Sequence, residues 1–563
     1  MKNEKLHEKR EFESVRALLE WAGEEYADRN AFSYRETIKS DAIRIKFRDF
    51  REDVRALASE FISRGYVGKR ISVIGKTSYE WILTYYATLS IGSVLVPLDR
   101  DWSATELAKT TGKADTDILV IDADLQEKAE EIRNALNLGD NVIFICGRGS
   151  GKGLDLLVEA GKAKYAADPA PYHNAEIDTD KLALMVFTSG TTGEGKGVML
   201  CQRNFLSDLS DVIPYVDFAD KTVGVLPPHH TYGSSVMFIG HVMIGSEIYI
   251  SSGLRHVQKE LQMEKPGHLV LVPLYLETFY RKIWANIKNQ GKEKLINRMI
   301  KISNALLKVG IDLRAKLFGK VRDAFGGEVK MIISGGAPIN SEIIAFFDAI
   351  GISTLNGYGI TECAPIISVN HTRRNIHGSV GVVLDIDTVH INEPNEDGEG
   401  EIWVKGPNVM LGYYKNEEAT RDAFSEDGYF KTGDYGRLDG DVITITGRKK
   451  NLIILSNGKN VYPEEIENEL IATPGIQDII VYEGQSRRGM EFNAIVAEVY
   501  PDQDYIQKNG ITDVKAHLQK YVDAYNKTAV PYKKITVLKL REEEFPKNTL
   551  RKILRFKLDM SID

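Results

Sequence analysis

The ten residues Thr188-Ser189-Gly190-Thr191-Thr192-Gly193-Glu194-Gly195-Lys196-Gly197 concentrate hydroxyls, glycines and one lysine directly behind the apolar run 182–187. Glycines free backbone N–H groups to turn toward an anion, hydroxyls add donors, and the lysine adds charge, so the composition suits a phosphate-holding loop. A P-loop is one reading, because Gly190, Gly195 and Lys196 fit G-x-x-x-x-G-K. It lacks the hydroxyl residue that should follow the lysine, where Gly197 stands. Val198-Met199-Leu200 also predicts a strand where a P-loop lysine would open a helix. A plain glycine/threonine hairpin is the other reading of the loop taken alone.

Further clusters follow in order. They are Leu226-Pro227-Pro228-His229-His230-Thr231-Tyr232-Gly233, Ser334-Gly335-Gly336-Ala337-Pro338, Asn356-Gly357-Tyr358-Gly359-Ile360-Thr361-Glu362, Tyr429-Phe430-Lys431-Thr432-Gly433-Asp434, Gly447-Arg448-Lys449-Lys450 and Pro546-Lys547-Asn548-Thr549-Leu550-Arg551-Lys552. Singly, each has an ordinary reading: Asp434 as a turn residue, His230 as a satisfied core histidine, Glu362 as a solvated carboxylate. Together with the loop, their order and identity resemble the adenylate-forming enzymes, which include acyl-CoA synthetases, peptide-synthetase adenylation domains and luciferases.

That resemblance implies a role for each position. ATP or AMP would be held by Thr188, Ser189, Gly190, Thr191, Thr192, Gly193 and Lys196, by the adenine-binding turn Gly335, Gly336, Ala337 and Pro338, and by Asn356, Gly357, Tyr358, Gly359 and Thr361. Asp434 would take the ribose hydroxyls, Arg448 would also contact the nucleotide, and Tyr358 would stack on adenine. Glu362 and Thr188 would hold Mg²⁺. His230, Glu362, Lys196 and Lys552 would be the catalytic set, with Lys450 as the hinge and Gly458, Lys459 and Asn460 on the face serving thioester formation with coenzyme A. Two positions depart from the family pattern: Gly195 replaces a proline before the loop lysine, and Arg551 replaces a glycine before Lys552.

The chain has 563 residues, 43% hydrophobic and 27% charged, with a net charge of −8. Its length predicts at least two domains, and the acidic balance argues against nucleic acid as a partner. Cys146, Cys201 and Cys363 are scattered and odd in number, so neither a disulfide framework nor a thiolate metal site is implied. With no apolar run near the ~18 residues of a spanning helix, the expected location is cytoplasmic. Apolar runs at 71–74, 94–96, 117–121 and 142–145 alternate with helical periodicity at 50–61 and 78–91, which predicts a largely parallel, helix-covered sheet. From 399 onward, closely spaced strands with glycine turns take over, and a smaller mixed unit follows. The expected fold is therefore α/β: a large multi-layered domain over 1–447 with a β-rich part, and a small α+β domain over 448–563 joined by a hinge.

The expected activity is ATP-dependent conversion of a carboxylic acid to an acyl-adenylate, then transfer to coenzyme A, with a carrier protein as the alternative acceptor. His230, Thr231, Tyr232 and Gly233, followed by the small and apolar residues 234–240, suit an alkyl chain. A basic insertion at about 281–325 adds to that expectation and resembles the long-chain fatty acyl-CoA synthetases. Between Arg281 and Arg322 it holds twelve Lys/Arg against Glu293 and Asp312, a local charge of 12 − 2 = +10. Met299, Ile302, Leu306, Val309, Leu313 and Leu317 recur in it at helical spacing, so it reads either as a solvated cover or as a contact with anionic membrane. A non-catalytic sensor would lack Glu362, Asp434 or Lys552, and all three are present. A luciferase-type oxygenase would share every motif up to the adenylate.

Overall fold

The computed structural model describes residues 4–188, 195–253, 255–455, 460–484, 494–547 and 553–561. Three sheets build the large domain. In the seven-stranded sheet, Val94–Leu98, Arg70–Ile74, Ile118–Asp122 and Val142–Ile145 run parallel, and Leu182–Thr188 continues them. Lys196–Cys201 then turns back antiparallel to Leu182–Thr188, and the short strand Gly412–Tyr413 pairs with it in turn. The segment between Leu182–Thr188 and Lys196–Cys201 thus joins two antiparallel strands, and the next helix, Gln202–Val212, starts only after the second strand. This is not the strand–loop–helix of a P-loop.

The nine-stranded sheet begins parallel, with His268–Leu271, Met331–Ser334 and Ser353–Gly359, and becomes antiparallel from Ile366–Val369 through Val442–Arg448 to Thr388–Asn392. A four-stranded sheet pairs the N-terminal hairpin Asn30–Tyr34/Ile43–Lys46 with Glu247–Ile250 and Lys221–Gly224. The helix Tyr79–Leu89 is buried at every position, as its all-round apolar sequence requires, and Ser78 caps it by accepting the Trp81 N–H. Among the described residues, the apolar cores of the large domain end at Ile443 and those of the small domain begin at Ile453. The small domain is built on Ile476–Gly484, Ala494–Pro501 and Val537–Leu540, covered by Pro463–Leu470 and Val514–Thr528.

A buried histidine pair fixes the segment that follows the Leu226–Gly233 cluster. Residues Tyr232–Gly240 form a π-helix, and His241 comes next. Its Nε2 lies 2.9 Å from Nε2 of His268, which stands on the strand His268–Leu271. His268 Nδ1 accepts the Ala219 N–H at 3.2 Å, so its proton sits on Nε2 and is donated to His241, which in turn donates from Nδ1 to the Val236 carbonyl at 3.2 Å. Burial holds the His241 pKa down at about 4 and His268 well below its ordinary value. The unfolded chain takes up these protons below about pH 6.5 and the folded chain does not, so the pair stabilises above that pH and loses its contribution as pH falls toward 4. Urea denaturation at pH 7.5 and 5.0 should show the wild type losing on the order of 4 kcal/mol more than His241→Leu/His268→Leu over that interval, ~2 for each histidine. Equal losses would contradict a neutral pair.

Candidate functional site

At the seam of the nine-stranded sheet, where strand Ser353–Gly359 meets the antiparallel half, a buried carboxylate is gripped from both sides. Asp434 and Arg448 are direct cross-strand partners on Phe430–Asp439 and Val442–Arg448. Arg448 Nε lies 2.8 Å from Asp434 Oδ1, and the Tyr358 hydroxyl donates to Oδ2 at 2.8 Å. Asp434 is 3% exposed, so these donors hold a desolvated charge in one rotamer. The carboxylate raises the Arg448 pKa, and burial reinforced by Asp434 raises that of Tyr358. Each oxygen keeps a lone pair for a further donor.

Close backbone packing brings the adjoining turns to the same seam. A Cβ on Gly359 would lie 1.8 Å from the Pro365 carbonyl, so this position requires glycine. Gly335 lies between the Gly357 carbonyl and the Tyr232 ring, where a Cβ would meet them at 3.4 and 3.5 Å, and Gly336 adopts φ +86°. Ala337 and Pro338 continue that turn, and the Asn356 amide donates to Ser379 O at 3.2 Å. The Tyr232 hydroxyl reaches the carbonyls of Leu271 (3.3 Å) and Ile333 (3.4 Å). The Leu226–Gly233 cluster is thereby tied to the turn after strand Met331–Ser334.

A second group forms beside the first. Thr188 and Lys196 face each other at the ends of their antiparallel strands, and the Lys113 ammonium donates to Gly195 O at 2.8 Å. Lys196 Nζ stands 4.7 Å from the Tyr413 ring centroid, and the Tyr413 hydroxyl donates to Glu362 Oε1 at 2.9 Å. Tyr413 therefore links the lysine to the carboxylate. Glu362 lies in the turn Thr361–Cys363, where burial pushes its pKa up while Tyr413 and Arg448 pull it down. Sequence reading missed Tyr413 because its strand has only two residues, too short for any periodicity to show. Lys113 was missed because a lone lysine ending a helix carries no signal.

His229 and His230 are both held neutral by burial, at about 4 and about 3. His229 Nε2 lies 3.5 Å from Asp99 Oδ2, whereas His230 Nε2 is buried without a hydrogen-bond partner among the described residues. Lys450 stands in the turn Lys449–Asn451, directly after Arg448, where burial and the Arg448 charge lower its pKa. Asn460 pairs with Ile454 in a short hairpin. Ser189, Gly190, Thr191, Thr192, Gly193, Gly458, Lys459 and Lys552 lie outside the described residues. The fold thus brings together Tyr358, Asp434 and Arg448, sets Lys196 and Glu362 around Tyr413, and places the two groups within electrostatic reach of each other.

Residues 19–414 match the family model of the AMP-binding enzymes. The chain belongs to that family. It is 31% identical to the long-chain-fatty-acid–CoA ligase FadD15 of Mycobacterium bovis, covering 76% of this chain and 73% of the relative. It is 28% identical to the chloroplast long-chain-fatty-acid–acyl-carrier-protein ligase of Arabidopsis thaliana, over 85% and 75%. Among solved structures, ATP-bound MatB from Rhodopseudomonas palustris superposes with a TM-score of 0.73 at 24% identity, over 96% of this chain and 97% of that one. The chain is an AMP-forming acid-thiol ligase with a large domain of mixed sheets and a small α+β domain.

In such an enzyme Tyr413 should matter through two separable contacts. Tyr413→Phe removes the hydrogen bond to a buried carboxylate, worth ~1.5–3 kcal/mol, and should slow acid-dependent pyrophosphate release about 10- to 100-fold. Tyr413→Leu also removes the ring facing Lys196 and should lose more, chiefly through a higher KM for ATP. Wild-type kinetics in Tyr413→Phe would show that the contact does not position Glu362.

Proposed function

We propose that the enzyme adenylates a medium- to long-chain fatty acid and passes the acyl group to the thiol of coenzyme A. One observation carries the choice of acid. A cleft of about 1470 Å³ is lined near Pro228 and His229 by Val225, Leu226, Val272, Tyr275 and Phe279, and at its other edge by Asp478 and Lys547 of the small domain. This apolar patch, set in a cleft whose remaining lining is largely charged and polar, suits an alkyl chain, and the polar lining suits the carboxylate and the acceptor. The FadD15 relative acts, by its name, on the same class of acid.

In the first step, a carboxylate oxygen bonds to the α-phosphorus of ATP and the bond to pyrophosphate breaks. In the second, a thiolate attacks the acyl carbon and AMP leaves. The first step brings anions together, so the chain's contribution is positioned charge. Lys196 would meet the outer phosphates, Asp434 would accept the ribose hydroxyls while Tyr358 and Arg448 hold it, and neutral His230 would offer a hydrogen bond without adding charge. Mg²⁺, when bound, would neutralise phosphate charge. Glu362 and Thr188 would offer it oxygen donors, the ligand type Mg²⁺ takes, and the phosphates would supply others. Lys552 would serve adenylation. Lys450 would be the pivot between a 1–447 domain and a 448–563 domain, and rotation there would bring Gly458, Lys459 and Asn460 to the site for thioester formation.

Pyrophosphate release measured across saturated acids should rise with chain length, by at most about fourfold per buried methylene (~0.8 kcal/mol), and should leave acetate and benzoate as poor substrates. A maximum at acetate or at an aromatic acid would refute this reading. Product analysis with coenzyme A and with a pantetheinylated carrier protein separates the two acceptors, the second of which the Arabidopsis relative makes a specific alternative. Lys552→Ala should lose on the order of 10²–10³ in adenylation and still convert synthetic acyl-adenylate to thioester. Lys450→Pro should retain pyrophosphate release and lose thioester formation, since proline fixes one backbone torsion at the pivot.

A further inference from the structure

Among the described residues, twelve large apolar side chains are at least about a third exposed, and six of them crowd into 295–313: Leu295, Ile302, Leu307, Val309, Ile311 and Leu313. Exposed aliphatics scattered singly are ordinary, but half of those among the described residues in one short stretch marks an interaction surface. The sequence had suggested one apolar stripe, and the structure divides it. Met299 and Leu317 pack partly buried against the core that also holds Ile296, while Ile302 (50% exposed) and Val309 (71%) stand out from the body. On the helix Glu293–Leu307, Leu295 and Ile302 are seven residues apart and share a ridge about 10 Å long. Lys294, Arg298 and Lys301 occupy the neighbouring exposed face. Beyond the helix, the exposed Val309, Ile311 and Leu313 flank the turn that Gly310 makes at φ +81°.

The twelve basic residues also divide. Arg322 is buried and donates to the Gly351 and Val329 carbonyls, and Arg314 pairs with Asp312 and donates to Asp348 O, so both serve the fold. Lys294, Arg298, Lys301, Lys308 and Lys316 are exposed, and among the described residues they enter no ion pair. Protruding aliphatics bordered by uncompensated cations fit a fluid, negatively charged surface. A rigid protein partner would need a matching groove for each side chain, whereas a bilayer lets them sink between headgroups.

We propose that the rim 294–316 is a docking surface for anionic lipid bilayers, with the aliphatic side chains entering the headgroup boundary and the lysines meeting the headgroup charge. This surface lies outside the catalytic groups and does not depend on which acid is activated. The test uses the whole enzyme without substrates, sedimented with vesicles of phosphatidylcholine alone or mixed with phosphatidylglycerol. Binding should require the anionic lipid and weaken with salt, because screening sets in beyond ~8 Å at physiological ionic strength. The charge variant Lys294→Glu/Arg298→Glu/Lys301→Glu/Lys308→Glu should lower the partition coefficient by at least about fivefold per residue, the equivalent of ~1 kcal/mol per cation at such a surface. The apolar variant Leu295→Ser/Ile302→Ser/Val309→Ser/Ile311→Ser should also bind at least tenfold more weakly. Both variants should keep wild-type thermal unfolding and wild-type pyrophosphate release with a water-soluble acid. The proposal is overturned by equal binding to neutral and anionic vesicles, by wild-type binding of the apolar variant, by a homodimer that the apolar variant dissolves, or by retention on an acidic carrier protein with none on vesicles.

Discussion

A carboxylate that is 3% exposed has to be neutralised where it stands, and the way Asp434 is neutralised organises the molecule. Its two partners come from different parts of the nine-stranded sheet. Tyr358 stands on the last strand of the parallel half, and Arg448 ends a strand inside the antiparallel half. The charge therefore works only when both halves are in register. Arg448 is also the last residue of its strand before the Lys449–Asn451 turn, so the ion pair that anchors Asp434 fixes the point from which the small domain departs. One buried interaction thus couples site geometry to domain placement.

The second group follows the same logic with a different device. Glu362, raised by burial, and Lys196, near the mouth of an antiparallel strand pair, are joined through the hydroxyl and the ring of Tyr413. A single aromatic residue can do this because its edge and its face have different electrostatics: the hydroxyl donates to the anion, and the π-face attracts the cation. The two-residue strand that carries Tyr413 extends the same sheet as Lys196–Cys201, so the linkage is built into backbone pairing.

Around the Leu226–Gly233 cluster, the controlling constraint is that polar groups are buried yet uncharged. His229, His230, His241 and His268 are all kept neutral by desolvation, which lets them lie beside apolar surface without the penalty of a buried cation. The His241–His268 contact also fixes the end of the π-helix that begins at Tyr232, and Tyr232 in turn meets Gly335. The Leu226–Gly233 cluster and the turn at Gly335 are held in relation through this chain of packed groups.

By itself, the sequence determined the family, the order of the motifs, the alternating α/β first half and the existence of a smaller C-terminal unit. Those features are local in character: glycine-rich turns, apolar periodicities and short motifs act over a few residues, so their types and spacing suffice. Tertiary structure alone decided the rest. The phosphate loop could be read as a P-loop or a hairpin until Leu182–Thr188 and Lys196–Cys201 paired antiparallel. Tyr413 acquires its place only by pairing across more than two hundred residues, and Arg448 by standing opposite Asp434. The basic segment read as one amphipathic stripe, but packing buried part of it and left the rest exposed, because burial depends on which neighbours are present and periodicity does not record them.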